Sequence, residues 1–208
     1  MNEPLTDIEI RAANQADMGA ISRIMNYPPE PPTAAMLGAE RASRLGDILV
    51  RAGINLKIDD AFVAVVDEIV AGVMECGGRG VPGAGVGALL PLLPRIVPVL
   101  GFALPRGVRG MLARGRVGFP PVPDAFAVVE LYVDERMRGR GIGGRLLDHA
   151  ETLAGAGGWK RMCIETGIDN PARRLYERHE FRVIETKTDA AYERLTGSPG
   201  RILMTKDI

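Results

Sequence analysis

Hydrophobic and polar residues alternate in the first apolar segment of the chain, "IEIRAA" at residues 8 to 13, which predicts a β-strand. The next segment has apolar residues at helical spacing, with Met18, Ile21 and Met25 on one face, and Asn14 or Asp17 can cap this helix. The proline-rich "YPPEPPT" cannot be helical throughout, and a second amphipathic helix then extends to about residue 52. The pattern therefore predicts a strand followed by two helices.

A hairpin is predicted by "AFVAVVDEIVAGVMEC", although its turn pair, Asp67 and Glu68, contains neither glycine nor asparagine. The pattern then predicts the strand "FAVVELYV", a helix over residues 141 to 155, the strand "KRMCIETG" and the short helix "NPARRLYERH". Two more strands, "FRVIET" and "RILMTK", follow. The order βααβββαβαββ indicates an α+β fold, with a mixed sheet that contains some parallel pairing.

An apolar, proline- and glycine-rich insertion at about residues 79 to 123 interrupts this order. Its stretch "VPGAGVGALLPLLPRIVPVLGFALP" is as long and apolar as a membrane span. Pro91, Pro94 and Pro98 would each remove a helix hydrogen bond, and Arg95 lies within the stretch, so no transmembrane span is expected. Four arginines follow the stretch: Arg106, Arg109, Arg114 and Arg116.

The apolar residues of the insertion cannot all be exposed without forming a patch, which leaves three alternatives. They line a ligand pocket as a lid, contact a second subunit in a homodimer, or lie on a membrane surface with the arginines facing lipid phosphates. We rank the lid first and the dimer second. Either would favour an apolar or bulky ligand over a polyamine, whose charge would require an acidic pocket.

Composition narrows the class of protein. The 208 residues suffice for one domain, predicted to span residues 1–208. The 26 basic residues equal the 26 acidic ones, so no global positive field would gather nucleic acid, and none is expected as a partner. Cys76 and Cys163 lie far apart without metal-ligand spacing, and no signal peptide is recognised, so we expect a reducing, cytoplasmic location and no metal site.

The glycines of "RMRGRGIGGRLLDHA" raise the question of chemistry. Gly139, Gly141 and Gly144 fit the dinucleotide pattern G-x-G-x-x-G, with Glu165 about 20 residues further on. The connection from Val133 is too long for a dinucleotide loop, and too few strand–helix units follow. The nucleotide-triphosphate pattern also fails, because no Lys-Ser or Lys-Thr follows the glycines.

A bare backbone that leads into a helix N-terminus favours an anion, because its first amides have no partners and the helix dipole is positive there. Arg138, Arg140 and Arg145 add positive charge. Together these features are typical of a pyrophosphate cradle. A glycine-rich connection with solvated arginines explains the stretch equally well, so this motif alone leaves both interpretations open.

Two spaced motifs resemble those of the GCN5-related N-acetyltransferase (GNAT) family. Arg138-x-x-Gly141-x-Gly143 resembles the family's acetyl-coenzyme A signature, and Asn170 with "LYERHEF" resembles its second signature, N-x-x-A-x-x-L-Y-x-x-x-G-F. Glu180 replaces the glycine before the phenylalanine, which puts the local turn in doubt. The resemblance implies a GNAT-like fold: a mixed central sheet flanked by helices, with splayed central strands.

The resemblance also implies roles for individual residues. Leu131 and Val133 would offer main-chain groups to the pantetheine arm of acetyl-coenzyme A, Asn170 would contact that arm, and Tyr176 would protonate the departing thiolate. Glu130, on the central strand, is the candidate base, directly or through water. An arginine-paired carboxylate and a core tyrosine are the structural alternatives for Glu130 and Tyr176. The pyrophosphate would be held by Arg138, Gly139, Arg140, Gly141, Ile142, Gly143 and Gly144.

The sequence thus leads to an N-acetyltransferase that transfers the acetyl group of acetyl-coenzyme A to a primary amine of a small molecule, by direct attack in a ternary complex. Protein N-acetylation stays open as an alternative acceptor class. A non-catalytic coenzyme A sensor or interaction module is the alternative from a different functional class.

Overall fold

The computed structural model describes residues 7–28, 30–78 and 86–208, so the first part of the predicted insertion, residues 79–85, lies outside it. A seven-stranded sheet of order β1-β2-β3-β4-β5-β7-β6 crosses the described part of the chain. Its strands are β1 (Glu9–Ala12), β2 (Ala61–Val66), β3 (Ile69–Gly77), β4 (Phe126–Val133), β5 (Arg161–Gly167), β6 (Arg182–Thr188) and β7 (Gly200–Asp207). β4 and β5 pair in parallel, and the other neighbours are antiparallel. The predicted mixed α+β fold is confirmed.

Helices cover both faces of the sheet. The α-helices of the described residues are α1 (Met18–Asn26), α2 (Pro31–Leu37), α3 (Ala39–Arg51), α4 (Val86–Leu89), α5 (Leu93–Leu100), α6 (Leu104–Val117), α7 (Ile142–Ala156), α8 (Arg173–Arg178) and α9 (Ala190–Thr196). Met74 on β3 packs in a core cluster with Leu146 of α7, whereas its neighbour Val73 packs with Ile21 of α1. Successive strand residues point to opposite faces, so α7 and α1 lie on opposite sides of the sheet.

The β2–β3 hairpin forms despite its unfavourable turn pair. Asp67 and Glu68 have φ values of 49° and 64°, the left-handed values that a two-residue hairpin turn requires. Val63, Val66, Val73 and other residues of both arms are buried in the sheet. Burial of the two arms therefore outweighs the local cost of the left-handed turn, which is small for Asp and larger for Glu.

The second predicted helix, expected to extend to about residue 52, is divided into α2 and α3. The second proline pair of "YPPEPPT" begins α2, because proline suits the first turn of a helix. Gly38, with φ 82°, then separates α2 from α3. α9 was not predicted at all. Its signals are present in the sequence, since Asp189 accepts a hydrogen bond from the Tyr192 amide at 2.7 Å and Gly197 ends the helix with φ 78°.

The insertion is helical, and its prolines stand where helical turns begin. Pro91, Pro94 and Pro105 each occupy a first turn, and Pro98 alone lies inside α5. Prolines in first turns are therefore compatible with helical structure here, contrary to the expectation from the sequence. The resulting run, Gly87–Val117, is long and apolar enough to cross a membrane by length and composition alone, and only 17% of its most apolar window is buried in the protein.

One side of the insertion packs on the body of the protein. Leu92, Ile96 and Leu100 are buried in a cluster with Leu37 of α2 and Ala42 of α3. These residues follow one another at helical spacing, so α5 presents a single stripe to α2 and α3. The insertion is therefore an integral layer over α2 and α3.

Candidate functional site

The central strands β4 and β5 separate along their length. They pair only through Phe126 with Met162, Ala127 with Cys163 and Val128 with Ile164. Beyond that point β4 stays paired with β3 as far as Val133, and β5 stays paired with β7 as far as Gly167. The facing edges of β4 and β5 are therefore unpaired over their second halves. This agrees with the splayed central strands that the resemblance implied.

The main chain of the predicted residues Leu131 and Val133 faces this gap. The amide of Asp134 donates to the Ala71 carbonyl of β3 at 2.9 Å, which directs even-numbered residues toward β3. Backbone polar groups alternate between the two edges of a strand, so residues 131 and 133 direct theirs to the other edge. The Val133 carbonyl accepts a hydrogen bond from Arg138 Nε at 3.2 Å. An extended ligand can therefore meet strand backbone at this edge.

The glycine-rich connection leads from β4 into α7. Gly139 and Gly141 have φ values of 76° and 86°, a region in which a side chain is strained. The first intrahelical hydrogen bond joins the Arg145 amide to the Gly141 carbonyl at 3.1 Å. The amides of Ile142, Gly143 and Gly144 precede that bond, as the first amides of a helix do. The helix therefore opens with free donors at its positive end.

Two arginines of the same turn, Arg138 and Arg140, add positive charge near these amides. Arg140 Nε is buried and has no hydrogen-bond partner among the described residues, so its donor awaits an acceptor. Arg138 lies exposed beside the same turn. A buried unpaired donor, free amides and a positive helix end together suit a pyrophosphate. The residues present therefore fit coenzyme A, with phosphates at the loop and a chain-like arm along β4.

Tyr176 lies on α8 and belongs to the core cluster against which Leu131 and Val133 of β4 pack. It is 5% exposed, and its ring meets that of Phe181 edge-on at 6.3 Å. Burial raises the pKa of Tyr176 to about 12, and the nearby carboxylates of Glu130 and Glu30 act in the same direction. Among the described residues the Tyr176 hydroxyl has no hydrogen-bond partner. The hydroxyl therefore stays protonated near neutral pH and is free to donate.

The turn after α8 forms without glycine. Glu180 adopts φ 68°, the left-handed value that the family's glycine would take, and the Phe181 amide donates to the Tyr176 carbonyl at 3.0 Å. The departure at Glu180 therefore leaves the position of Tyr176 intact.

Asn170 holds the start of α8. Its amide nitrogen donates to Thr166 Oγ1 at 2.8 Å, and its side-chain oxygen accepts from the Ala172 amide at 2.9 Å. Both ends of the side chain are thus occupied by the protein. The contact of Asn170 with the pantetheine arm stays a prediction, as do the binding roles of the other residues of the loop.

Glu130 is half-buried on β4, opposite Glu75 of β3. Burial and the negative charge of Glu30 together raise its pKa to about 8, although the guanidinium of Arg114 acts in the opposite direction. Within the described residues no cation lies in ion-pair range of the Glu130 carboxyl; Arg114 approaches Glu165 instead, at 3.9 Å. The arginine-paired alternative for Glu130 is therefore not what the geometry provides. Glu130 is a carboxyl with a pKa in the range of a general base.

Sequence reasoning missed the polar residues around Glu130. The Tyr132 hydroxyl donates to Glu30 Oε1 at 2.7 Å, and the buried Glu75 carboxyl accepts from the Lys57 amide at 3.1 Å. Tyr132 could have been found, since it lies two residues from Glu130 and so on the same face of β4. Glu30 and Arg114 could not, because they come from the proline-rich segment and the insertion.

Comparison with a family model matches residues 108–183 to the acetyltransferase (GNAT) domain. A search of curated proteins finds no match. The fold is similar to that of several solved structures, each with low sequence identity.

A polyamine N-acetyltransferase of Drosophila melanogaster, described as catalysing the formation of N-acetylagmatine, is 17% identical, with a TM-score of 0.59 over 97% of this chain and 100% of that one. A mosquito arylalkylamine N-acetyltransferase-like protein is 20% identical, with a TM-score of 0.56 over 97% and 100%. The PaiA N-acetyltransferase of Thermoplasma acidophilum, solved with coenzyme A, is 16% identical, with a TM-score of 0.53 over 98% and 100%.

Proposed function

We propose that the chain is an acetyltransferase of the GNAT family and that it transfers the acetyl group of acetyl-coenzyme A to a primary amine of a small molecule. One observation carries this proposal: the unpaired edge of β4 runs into a glycine turn with free amides, with Glu130 on that strand and Tyr176 in the core cluster against which Leu131 and Val133 pack. The similar folds described as polyamine and arylalkylamine N-acetyltransferases support the class of acceptor.

The residues divide the work as follows. Bound acetyl-coenzyme A supplies a thioester. Main-chain amides of β4 donate hydrogen bonds, and the loop from Arg138 to Gly144 holds phosphates, so the reacting groups are kept in position. Glu130 accepts a proton from the ammonium of the acceptor, directly or through water, and the Tyr176 hydroxyl supplies a proton to the leaving sulfur. The amine attacks directly in a ternary complex, without a covalent enzyme intermediate.

Three carboxyl groups lie on the side proposed for the acceptor, and they attract a protonated amine when they are deprotonated. Glu30, Glu75 and Glu130 gather there with the Tyr132 hydroxyl, and Arg114 is the cation that influences Glu130. These carboxyls weaken the argument that a polyamine lacks an acidic pocket. We retain the preference for an acceptor with an apolar or bulky body, because the insertion reaches this side through α6. Polyamines are nevertheless included among the amines to be tested.

The first test is calorimetric titration with acetyl-coenzyme A, coenzyme A and NAD in parallel. Saturable binding of the two coenzyme A species alone supports the cradle, and release of free thiol is then followed with a panel of arylalkylamines, polyamines and a lysine-containing peptide. Failure of both coenzyme A species to bind folded protein would overturn the proposal. Transfer confined to the peptide would replace the small-molecule acceptor with protein N-acetylation.

Tyr176→Phe tests the proton donor. We expect kcat to fall by about 100-fold with coenzyme A affinity retained, as loss of a general acid does. Tyr192→Phe is the matched control, because Tyr192 is also a buried tyrosine, 3% exposed, but packs on α6. A coenzyme A sensor would show binding without turnover in the unmodified protein. Equal kcat values in the wild type and Tyr176→Phe would remove Tyr176 from the chemistry.

A further inference from the structure

The outward side of the insertion carries an unusual share of exposed apolar side chains. Of the twelve large hydrophobic residues exposed in the described chain, seven lie between residues 90 and 112, so the exposed apolar side chains are concentrated in this one segment. They are Leu90, Leu93, Val97, Phe102, Val108, Met111 and Leu112. Phe102 is completely exposed at the break between α5 and α6. These seven residues are named the apolar patch.

The apolar patch is a second face of helices that are already packed. In α5, Ile96 and Leu100 point to α2 and α3, whereas Leu93 and Val97 are 42% exposed. In α6, Ala113 and Val117 are buried, whereas Leu112 is 60% exposed. The buried stripe accounts for the folding of the insertion. It leaves the apolar patch without a function inside the protein.

The charge of the insertion is entirely positive. No aspartate or glutamate occurs between Glu75 and Asp124, a stretch with six arginines in a chain of zero formal net charge. Arg114 and Arg116 approach Glu165 and Asp189, at 3.9 Å and 3.4 Å. The remaining described arginines of the helices, Arg95, Arg106 and Arg109, are exposed and make no ion pair with a described residue.

Arginines and apolar side chains also share a groove. Between α6 and α9 a groove of about 390 Å³ is lined by three arginines and three apolar residues, which are Arg109, Arg116, Arg194, Leu112, Ala191 and Leu195. Guanidinium groups bind phosphates, and neighbouring apolar side chains suit acyl chains. Phosphates and acyl chains lie next to each other at the headgroup level of an anionic bilayer.

We infer that the apolar patch and its arginines dock the protein on the surface of an anionic phospholipid membrane. A second copy of the chain fits less well, because a twofold contact would place this arginine-rich face against itself. A membrane span also fits less well: Gly101, with φ 47°, breaks the run, only ten residues separate Arg95 from Arg106, and the inner stripe is already buried. Docking would keep the buried stripe in place and needs no refolding.

Vesicle co-sedimentation tests the inference on the full chain. We expect binding to an about 7:3 mixture of phosphatidylcholine and phosphatidylglycerol, with little binding to phosphatidylcholine alone, and release when salt is raised from about 0.1 M to about 1 M. Leu93→Asp with Phe102→Asp, and separately Arg95→Glu with Arg109→Glu, should each lower the partition coefficient by about tenfold or more.

The matched controls change the same residue types outside the patch. Ile69 and Ile184 are 59% and 57% exposed, and Arg182 is an exposed arginine on β6. Ile69→Asp with Ile184→Asp, and Arg182→Glu, should leave the partition coefficient unchanged. All substituted residues are exposed, and circular dichroism together with coenzyme A binding checks that each variant folds.

Several results would overturn the inference. Equal binding by patch and control variants removes the patch from the contact. Dimeric mass in light scattering that the patch variants abolish assigns the face to a second copy. Complete displacement from vesicles by millimolar glycerol phosphate makes the groove a site for soluble anions, and resistance to alkaline carbonate indicates a span.

Discussion

The pKa of Glu130 predicts how activity depends on pH. Burial and the neighbouring Glu30 raise this pKa to about 8, so the carboxyl is mostly protonated at neutral pH. A base must be deprotonated, and we therefore expect kcat/KM to rise about tenfold per pH unit below pH 8 and to level off above it. The measurement is thiol release between about pH 6 and about pH 9.5.

Glu130→Gln distinguishes the rise of kcat/KM due to deprotonation of Glu130 from a rise due to deprotonation of the acceptor amine. The variant should lose the inflection near the pKa of Glu130, while any inflection due to the amine stays.

A second measurement, of the stability of the fold against pH, needs no substrate. A carboxyl whose pKa is raised on folding stabilises the fold below its unfolded pKa, and that contribution is lost as pH rises through about 8. As the pH rises from about 5 to about 9, the melting temperature of the variant should therefore rise relative to that of the wild type. If the wild type and Glu130→Gln had parallel pH profiles of both kcat/KM and melting temperature, the assignment of Glu130 as the base would be wrong.

Other residues show how local and distant information differ. Gly139 and Gly141 could be identified from the sequence because their left-handed backbone is a local requirement. The partner of Tyr132 could not, because Glu30 lies 102 positions away in the chain. Asn170 illustrates an intermediate case, since its hydrogen bonds to Thr166 and Ala172 are local but were not foreseen.

At the scale of elements, the contact between α1 and α3 depends on a glycine. A Cβ added at Gly46 would overlap the side-chain amide of Asn26, and Ser43 Oγ donates to the Asn26 carbonyl at 2.7 Å in the same contact. Gly46→Ala should therefore lower the free energy of unfolding by about 1 to 3 kcal/mol, because either the Asn26 side chain gives up its hydrogen bonds to Ser22 or the two helices separate. Urea denaturation measures the change.

Gly155→Ala is the matched control on α7. A Cβ at Gly155 would meet nothing within 4 Å, so only the intrinsic preference of a helix for alanine acts there. We expect this variant to gain about 0.5 to 1 kcal/mol. If both substitutions stabilise the protein, the close approach of α1 and α3 does not limit the packing.

Element prediction succeeded where one periodicity dominated. The seven strands and α7 repeat their apolar residues regularly, and all appear in the described chain as the pattern predicts. The helices of the insertion were not predicted, because proline was taken as a helix breaker. Pro91, Pro94 and Pro105 instead lie in first turns, where proline is tolerated. α9 is seven residues long, too short for a clear helical period.

For the whole molecule, we expect a single unfolding transition. One sheet runs through the described residues, and the insertion shares its buried cluster with α2 and α3. Differential scanning calorimetry should therefore yield equal calorimetric and van't Hoff enthalpies, as for a single cooperative domain. Two resolved transitions would show that the insertion forms a separate unit.

The sequence by itself determined the order of the strands, the glycine turn before α7 and the tyrosine motif of α8, because periodicity, backbone conformation and short motifs are encoded by neighbouring residues. Only the tertiary structure decided that β4 and β5 separate beyond Val128, that Glu30 and Arg114 surround Glu130, and which face of α5 is buried. These features depend on contacts between residues far apart in the chain, and both the chemistry of Glu130 and the exposure of the apolar patch arise from them.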